Sequence, residues 1–354
     1  MMRRYCILAA LLLASAPLAA RDKLHVYNWS EYLPDAVIEA FEVRCGCDLV
    51  YDVYTSNEEL LAKLAAGATG YDVLVPTDYA VTALIARGQL LELDHSLIPN
   101  LRNLKPAFRD PSFDPGNRYS VAYAFGPTVL GYNVAKLESL GVPADSWAAI
   151  FEPQHLRKLK GRVTVLDDQR ELIGVALIYL GYSANDRDRA HWDRARDLIV
   201  RAKPYWAAFN ASNYATLLAS GNVWVSHGYS VDIFQAAEEA AQAQAGIEIG
   251  YTIPAEGAYM STDNMVIHKD APNPRLAHEF IDFILDGEQS AVLSNEIGIG
   301  NPNAAAEPYI DEQVLRDPVL SPDGDVLRRL HSISELDARD RRDMNRLWTE
   351  IKVR

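Results

Sequence analysis

The chain has 354 residues, enough for two lobes of ordinary size, each able to bury a core of its own. Its 34 basic and 48 acidic residues give a net charge of −14, and losing Arg3 and Arg4 with a leader takes this to −16, because residues 1–20 carry no acid. A field of that sign repels nucleic acid and anionic membranes and attracts cations, although solubility alone also accounts for it.

Residues 1–20 read as a secretory signal: Arg3 and Arg4 form a basic start, Ile7 to Leu13 an apolar run, and small residues follow to Ala20. Cleavage after Ala16 and after Ala20 both fit. The run is too short to span a bilayer, and no later segment approaches the ~20 apolar residues needed. Cys6 stands away from both cut sites, which argues against a lipid anchor there. Cys45 and Cys47 flank Gly46 at an expected helix end; a local disulfide or two plain thiols fits them better than a metal site, since no histidine spacing supplies further ligands.

From residue 23 the pattern alternates strand and helix. Lys23–Asn28 reads as a strand, and Pro34–Val43 as a helix with Pro34 in its first turn. Asp48–Tyr54 is a strand, followed by a helix capped by Ser56 or Asn57 and stopped by Gly67. A short buried strand at Tyr71–Val75 precedes a helix around Ala80–Arg87. Residues 110–120 are turn-rich, and VAYAF and VLGYNV read as two strands around Gly126-Pro127, where the chain is expected to cross between lobes. VTVL, VWVSHG, IEIGYTIPAEG and MVIHK give further strands; QRELIGVALIYLG, a segment from about Val231, and PRLAHEFIDFIL give helices. The tail after Ser321 is expected to be helical and to carry Trp348. Such alternation predicts α/β layering with largely parallel strands.

In open α/β sheets, ligands lie beyond the carboxyl ends of the strands. Four expected junctions carry aromatic and acidic side chains there: Trp29-Ser30-Glu31-Tyr32, Thr77-Asp78-Tyr79, Asp167-Asp168-Gln169-Arg170-Glu171, and Tyr229-Ser230-Val231-Asp232. Singly, each has a plainer reading. Asp168 and Glu171 have capping-box spacing, Ser230 and Asp232 suit caps, Glu31 and Asp35 suit a helix dipole, and the tyrosines are ordinary half-buried rings. Repetition at one topological edge shifts the balance toward a site. Carboxylates beside indole and phenol faces suit a cation with an apolar stem, because ammonium pairs with carboxylate and rings cover methylenes. A hard metal ion would need clustered oxygens without indole.

NWSEY after the first strand, YDVLVP followed by a hydroxyl residue, LDD-x-x-E before ALIYLGY, GY-x-x-D-x-x-QA and P-x-EGA…D together resemble the periplasmic spermidine/putrescine-binding proteins of ABC importers. The likeness runs from about His25 to the C-terminus in the same order. It implies a two-lobed periplasmic-binding-protein fold of the type II solute-binding class, each lobe a mixed sheet flanked by helices with the ligand cleft between. The implied division is a signal peptide at 1–20, lobe 1 at 21–126 and 258–303, and lobe 2 at 127–257 and 304–354.

Carried over residue by residue, the resemblance implies ligand contacts at Trp29, Ser30, Glu31, Tyr32, Thr77, Tyr79, Asp168, Glu171, Tyr229, Asp232 and Asp263. It further implies a polyamine ligand, hinge closure, an inner-membrane permease with its ATPase as partner, a monomer in the periplasm, and no catalytic residue, cofactor or metal. Ser261 and Ile299 depart from it, standing where the family has aromatic residues, which leaves the particular amine open. Three rivals remain. The chain lacks G-x-S-x-G, G-x-x-x-x-G-K-[ST] and G-x-G-x-x-G, so an enzyme reading has no signature. A sensor subunit for an organic amine would look the same in sequence. The same fold with a carboxylate-bearing ligand would need an arginine in the cleft, and the junctions offer only Arg170.

Overall fold

The computed structural model describes residues 21–30 and 32–353, so the expected leader and Glu31 lie outside the described residues. Strand β1 (Lys23–Trp29) sends Leu24 and Val26 into one apolar layer and Tyr27 into another, so both its faces are covered. Strands β2 (Asp48–Tyr54) and β3 (Val73–Leu74) lie parallel to it on either side. Helix Asp35–Cys45 begins behind Pro34, which occupies the N-cap rather than the first turn, and stops at Gly46, whose φ of 65° a side chain would resist. A disulfide joins Cys45 to Cys47 across that turn. Of the two candidate caps for helix Asn57–Ala65, Ser56 acts: its Oγ accepts from the Glu59 backbone N–H at 3.2 Å.

Further along the chain come β4 (Ser120–Asn133), β5 (Val163–Val165), β6 (Ala208–Phe209), β7 (Val225–Tyr229), β8 (Ile249–Thr252), β9 (Ala258–Ile267) and β10 (Leu330–His331). They join in the order β2-β1-β3-β9-β4-β7-β5-β6, with β8 added to β4 and β10 to β9. The expected break at Gly126-Pro127 does not occur, and β4 runs through it. Residues 120–127 pair with β9 and residues 128–132 with β7, so the proline falls where the strand changes neighbours. The tail after Ser321 likewise differs from expectation. Leu330–His331 forms a strand beside β9, and the long helix spans only Ala338–Val353.

Apolar side chains collect on either side of that changeover. Trp147, Trp192, Trp206 and the buried face of helix Gln169–Tyr179 belong to one core, together with Leu347 and Ile351 of the last helix. Phe41, Phe125, Phe280 and Phe283 belong to a second, and Tyr27, Tyr54 and Tyr71 to a third that flanks β1. The four junctions singled out from the sequence all stand at the carboxyl ends of parallel strands: after β1 and β3 on one side, after β5 and β7 on the other.

Helix Gln169–Tyr179 is fixed against β9 by a close approach. Tyr259 lies directly over Gly174, with its hydroxyl donating to the Ala184 carbonyl at 2.6 Å, so a Cβ at 174 would collide with the ring. Gly174→Ala is expected to destabilise the protein by about 1–3 kcal/mol, as overpacking does. A urea melt checks this, and an unchanged midpoint would contradict the close packing.

Candidate functional site

The turn after β1 is pinned by phenols from elsewhere in the chain. The Tyr51 hydroxyl donates to the Trp29 carbonyl at 2.9 Å, and the Tyr123 hydroxyl donates to the Tyr32 carbonyl. The indole N–H of Trp29 donates to the Val75 carbonyl at 3.0 Å, and its ring lies 4.7 Å from that of Tyr54. Tyr32 reaches across to β9, its hydroxyl donating to Asp263 Oδ2 at 2.9 Å. Asp263 is 5% exposed, and its Oδ1 is buried with no hydrogen-bond partner. Burial pushes this carboxyl up to about 7, with the Tyr32 hydroxyl acting against the shift and the neighbouring Asp78 adding to it.

After β3, buried Thr77 accepts from Asn57 Nδ2 at 2.8 Å, and its backbone bridges to Asp263. The Tyr79 hydroxyl donates to Glu58 at 3.3 Å. On the other side, Asp168 fulfils half of the capping-box reading: its Oδ1 accepts from the backbone N–H of Arg170 at 2.7 Å and of Glu171 at 3.1 Å. The other half fails. Glu171 is 2% exposed, and its Oε2 is buried with no hydrogen-bond partner, rather than closing the box. Burial, then the charge of Asp168, pushes the Glu171 carboxyl up to about 8. Burial also raises Asp168, against the pull of the two backbone N–H groups.

Tyr229 stands 37% open to solvent yet hemmed in by protein, and this enclosure, followed by the charges of Glu171 and Asp168, holds its phenol well above the usual range. Asp232 accepts from the Tyr214 hydroxyl, whose oxygen in turn accepts from the Tyr229 backbone N–H at 3.0 Å. The helix that follows has no side-chain cap, so neither Ser230 nor Asp232 serves as one.

These groups form one electrostatic neighbourhood. Tyr32 feels Asp263 and Asp232; Tyr229 feels Glu171, Asp168 and Tyr79; Asp263 and Glu171 both feel Asp78. The structure thus brings Trp29, Tyr32, Thr77, Tyr79, Asp168, Glu171, Tyr229, Asp232 and Asp263 to a common edge. Ser30 is exposed in the turn, and Glu31 lies outside the described residues. Ile299 is 2% exposed and packs in the same core as Tyr123 and Phe125, so it fills the interior instead of leaving an open wall. Sequence reasoning passed over the supporting phenols Tyr51, Tyr123 and Tyr214, and also Asp78, which is 3% exposed with its carboxyl raised to about 7 by burial. Nothing in the local pattern around the three tyrosines marks them, because their partners lie on distant segments.

Buried carboxylates stand beside aromatic rings where two groups of parallel strands end, in a two-lobed solute-binding architecture shared with solved structures. The spermidine/putrescine ABC transporter substrate-binding protein PotD of Streptococcus pneumoniae superposes with a TM-score of 0.85 at 26% identity, over 94% of this chain and 99% of that one. The TpPotD lipoprotein of Treponema pallidum gives 0.82 at 31% identity, over 94% and 100%. The chain belongs to the family described as bacterial extracellular solute-binding protein, whose model matches residues 36–321. It is 49% identical over 354 residues, the full length of both chains, to a putrescine/cadaverine-binding protein of Pseudomonas aeruginosa. To the putrescine-binding periplasmic protein PotF of Escherichia coli it is 34% identical over 343 residues, 95% of this chain and 93% of the other.

The raised carboxyls have a direct consequence for stability. Between the ordinary glutamate value of 4.5 and about 8, folded ligand-free protein keeps a proton on Glu171 that the unfolded chain has released. Stability contributed by this group is therefore full below that window and is lost as pH rises through it. Glu171→Gln is expected to flatten the fall in melting temperature between about pH 5 and 8. An identical pH profile for variant and parent would contradict the assignment.

Proposed function

We propose that the protein is the periplasmic solute-binding component of an ABC importer and captures a linear polyamine of the putrescine and spermidine class. One observation carries the reading: Glu171 Oε2 and Asp263 Oδ1, on opposite groups of strands, are both buried without a hydrogen-bond partner beside aromatic rings. A buried carboxylate is costly unless it is protonated or paired, and an alkylammonium group supplies both charge and hydrogen-bond donors. The names of the relatives agree with this chemistry.

In this reading lobe 1 comprises residues 21–126 and 258–303 and lobe 2 residues 127–257 and 304–354, with residues 1–20 removed as a signal. Trp29, Tyr32, Tyr79 and Tyr229 flank the methylene chain, Ser30 and Thr77 offer hydroxyls, and Glu31, Asp168, Glu171, Asp232 and Asp263 face the cationic groups. Acids from both lobes repel across an empty cleft. A polycation between them favours the closed arrangement through contacts that only that arrangement provides. The closed form then docks on an inner-membrane permease served by an ATPase, and the amine is released chemically unchanged. Ser261, half-buried on β9 where the resemblance expects an aromatic ring, favours a second reading: the same site takes a different organic amine, for transport or sensing.

Thermal unfolding of refolded, ligand-free protein against putrescine, cadaverine, spermidine, spermine, agmatine and amino acids tests the class. An amine present at a hundred times its Kd adds about 2.7 kcal/mol and raises the melting temperature. A response to amino acids alone would overturn the proposal. Asp263→Asn is expected to weaken amine binding at least about tenfold, or about 1.4 kcal/mol, while the ligand-free protein melts no earlier than the parent. Retained affinity would remove Asp263 from the site.

A further inference from the structure

The Cys45–Cys47 disulfide stands just before β2, at the end of the strands opposite to the one where β1 and β3 finish beside the acids. A single residue separates the two cysteines. In the loop-closure account, a cross-link over so short a span removes little entropy from the unfolded chain, so stabilisation is a poor reason for it.

The turn is also fastened without the sulfurs. The Gly46 N–H donates to the Glu42 carbonyl at 3.0 Å, and the Asp48 N–H to the Asp22 carbonyl at 2.9 Å. Glu42 Oε1 accepts from the Leu49 N–H at 2.8 Å. Arg21 braces the same turn from outside: its guanidinium donates to the carbonyls of Gly46 and Glu42, each at 3.1 Å, and pairs with Asp48 at 2.9 Å. Opening the disulfide therefore leaves the two sulfurs side by side, in place to join again.

The sulfurs differ in access and in surroundings. Cys47 is 1% exposed and lies in the core with Val37 and Phe41, whereas Cys45 is half-buried at the edge of that core, next to exposed Gly46. An incoming nucleophile reaches Cys45 and is kept from Cys47. Cys45 Sγ also has partners waiting for its reduced forms. The Cys47 backbone N–H stands 3.1 Å from it and favours a thiolate, and the Glu42 carbonyl at 3.8 Å can accept from a thiol.

We propose that Cys45–Cys47 is an exchange-active disulfide that accepts two electrons from a dithiol and returns them, with Cys45 as the sulfur attacked. A thiolate of the dithiol attacks Cys45 Sγ, the bond to Cys47 breaks, and Cys47 leaves as a thiolate that takes up a proton. The second thiolate of the dithiol then attacks its own partner sulfur in the mixed disulfide. Cys45 is released and protonated, and the dithiol closes to a disulfide. The protein has gained two electrons and two protons, and the dithiol has lost them. This activity is independent of the amine-binding reading, since the two places lie at opposite strand ends.

Equilibration of the mature, oxidised protein with glutathione buffers, followed by maleimide labelling and mass spectrometry, tests the proposal. In glutathione at the poise of a cytosol a structural disulfide is reduced in about one molecule in a hundred, and Cys45–Cys47 is expected to be reduced at least about tenfold more, reversibly on addition of oxidised glutathione. Cys47→Ser, which keeps the accessible sulfur, is expected to form a mixed disulfide with oxidised glutathione at least about tenfold faster than Cys45→Ser. Melts of both variants and of the reduced parent verify that each is folded, and a putrescine titration of the reduced parent is expected to match that of the oxidised one. Thiols that appear only after urea has unfolded the parent, or equal rates for two folded variants, overturn the exchange site and leave the amine-binding reading standing. Absence of amine binding in both redox states, with exchange intact, overturns that reading alone.

Discussion

Asp78, Asp168, Glu171 and Asp263 are carboxyls that burial holds above their ordinary range, in a place where each of several neighbours adds to the crowding. Desolvation raises all four, like charge adds to it at Asp168, Glu171 and Asp263, and backbone N–H groups, the Tyr32 hydroxyl, the Trp29 indole, Thr128, Ser332 and the nearby Arg170 guanidinium act against the shift. A folded chain keeps such a cluster only if the surrounding structure is rigid enough to hold it. The rest of the molecule can be understood as that support.

The support is built largely from phenols. Tyr51 and Tyr123 fix the carbonyls on either side of the first turn, Tyr54 shares the Val75 carbonyl with the Trp29 indole, and Tyr214 ties Asp232 to the Tyr229 backbone. Each ring buries apolar area while its hydroxyl satisfies a polar atom, so these residues serve packing and geometry together. Gly174 lets Tyr259 sit against the helix that presents Asp168 and Glu171, which couples the core of one group of strands to the acids at its edge.

The alternation of strands and helices, and the placing of four chemically unusual junctions at strand ends, were legible in the sequence because both are local patterns. Asp168 and Glu171 show how far local pattern reaches. Their spacing suited a capping box, and only the fold separates the aspartate that caps from the glutamate whose oxygen has no partner. The continuity of β4 through Gly126-Pro127 was not legible, since a proline there costs little only when the strand changes neighbours at that point. Strand β10 is two residues long and exists through its pairing with β9, which no local signal encodes. Ile299 looked like a missing wall by position and is a core residue by packing. Asp78 stood among the quoted junction residues but was passed over; its surroundings include Ser332 to Glu335, which lie far from it in sequence.

In the proposed reading, an amine in this cleft replaces protons. Without ligand, Asp78, Glu171 and Asp263, raised to about 7, 8 and 7, are partly protonated near neutral pH. With an ammonium group beside them, the ionised forms are favoured and the protons leave. Affinity and proton release are therefore two readings of one interaction. The most direct measurement is the pH titration of the side-chain carboxyl carbons of Glu171 and Asp263 by NMR, without and with saturating putrescine. The account predicts midpoints near 8 and 7 in the free protein and a fall of both in the complex. Titration of both groups in the ordinary carboxylate range, or midpoints that ignore the amine, would contradict it.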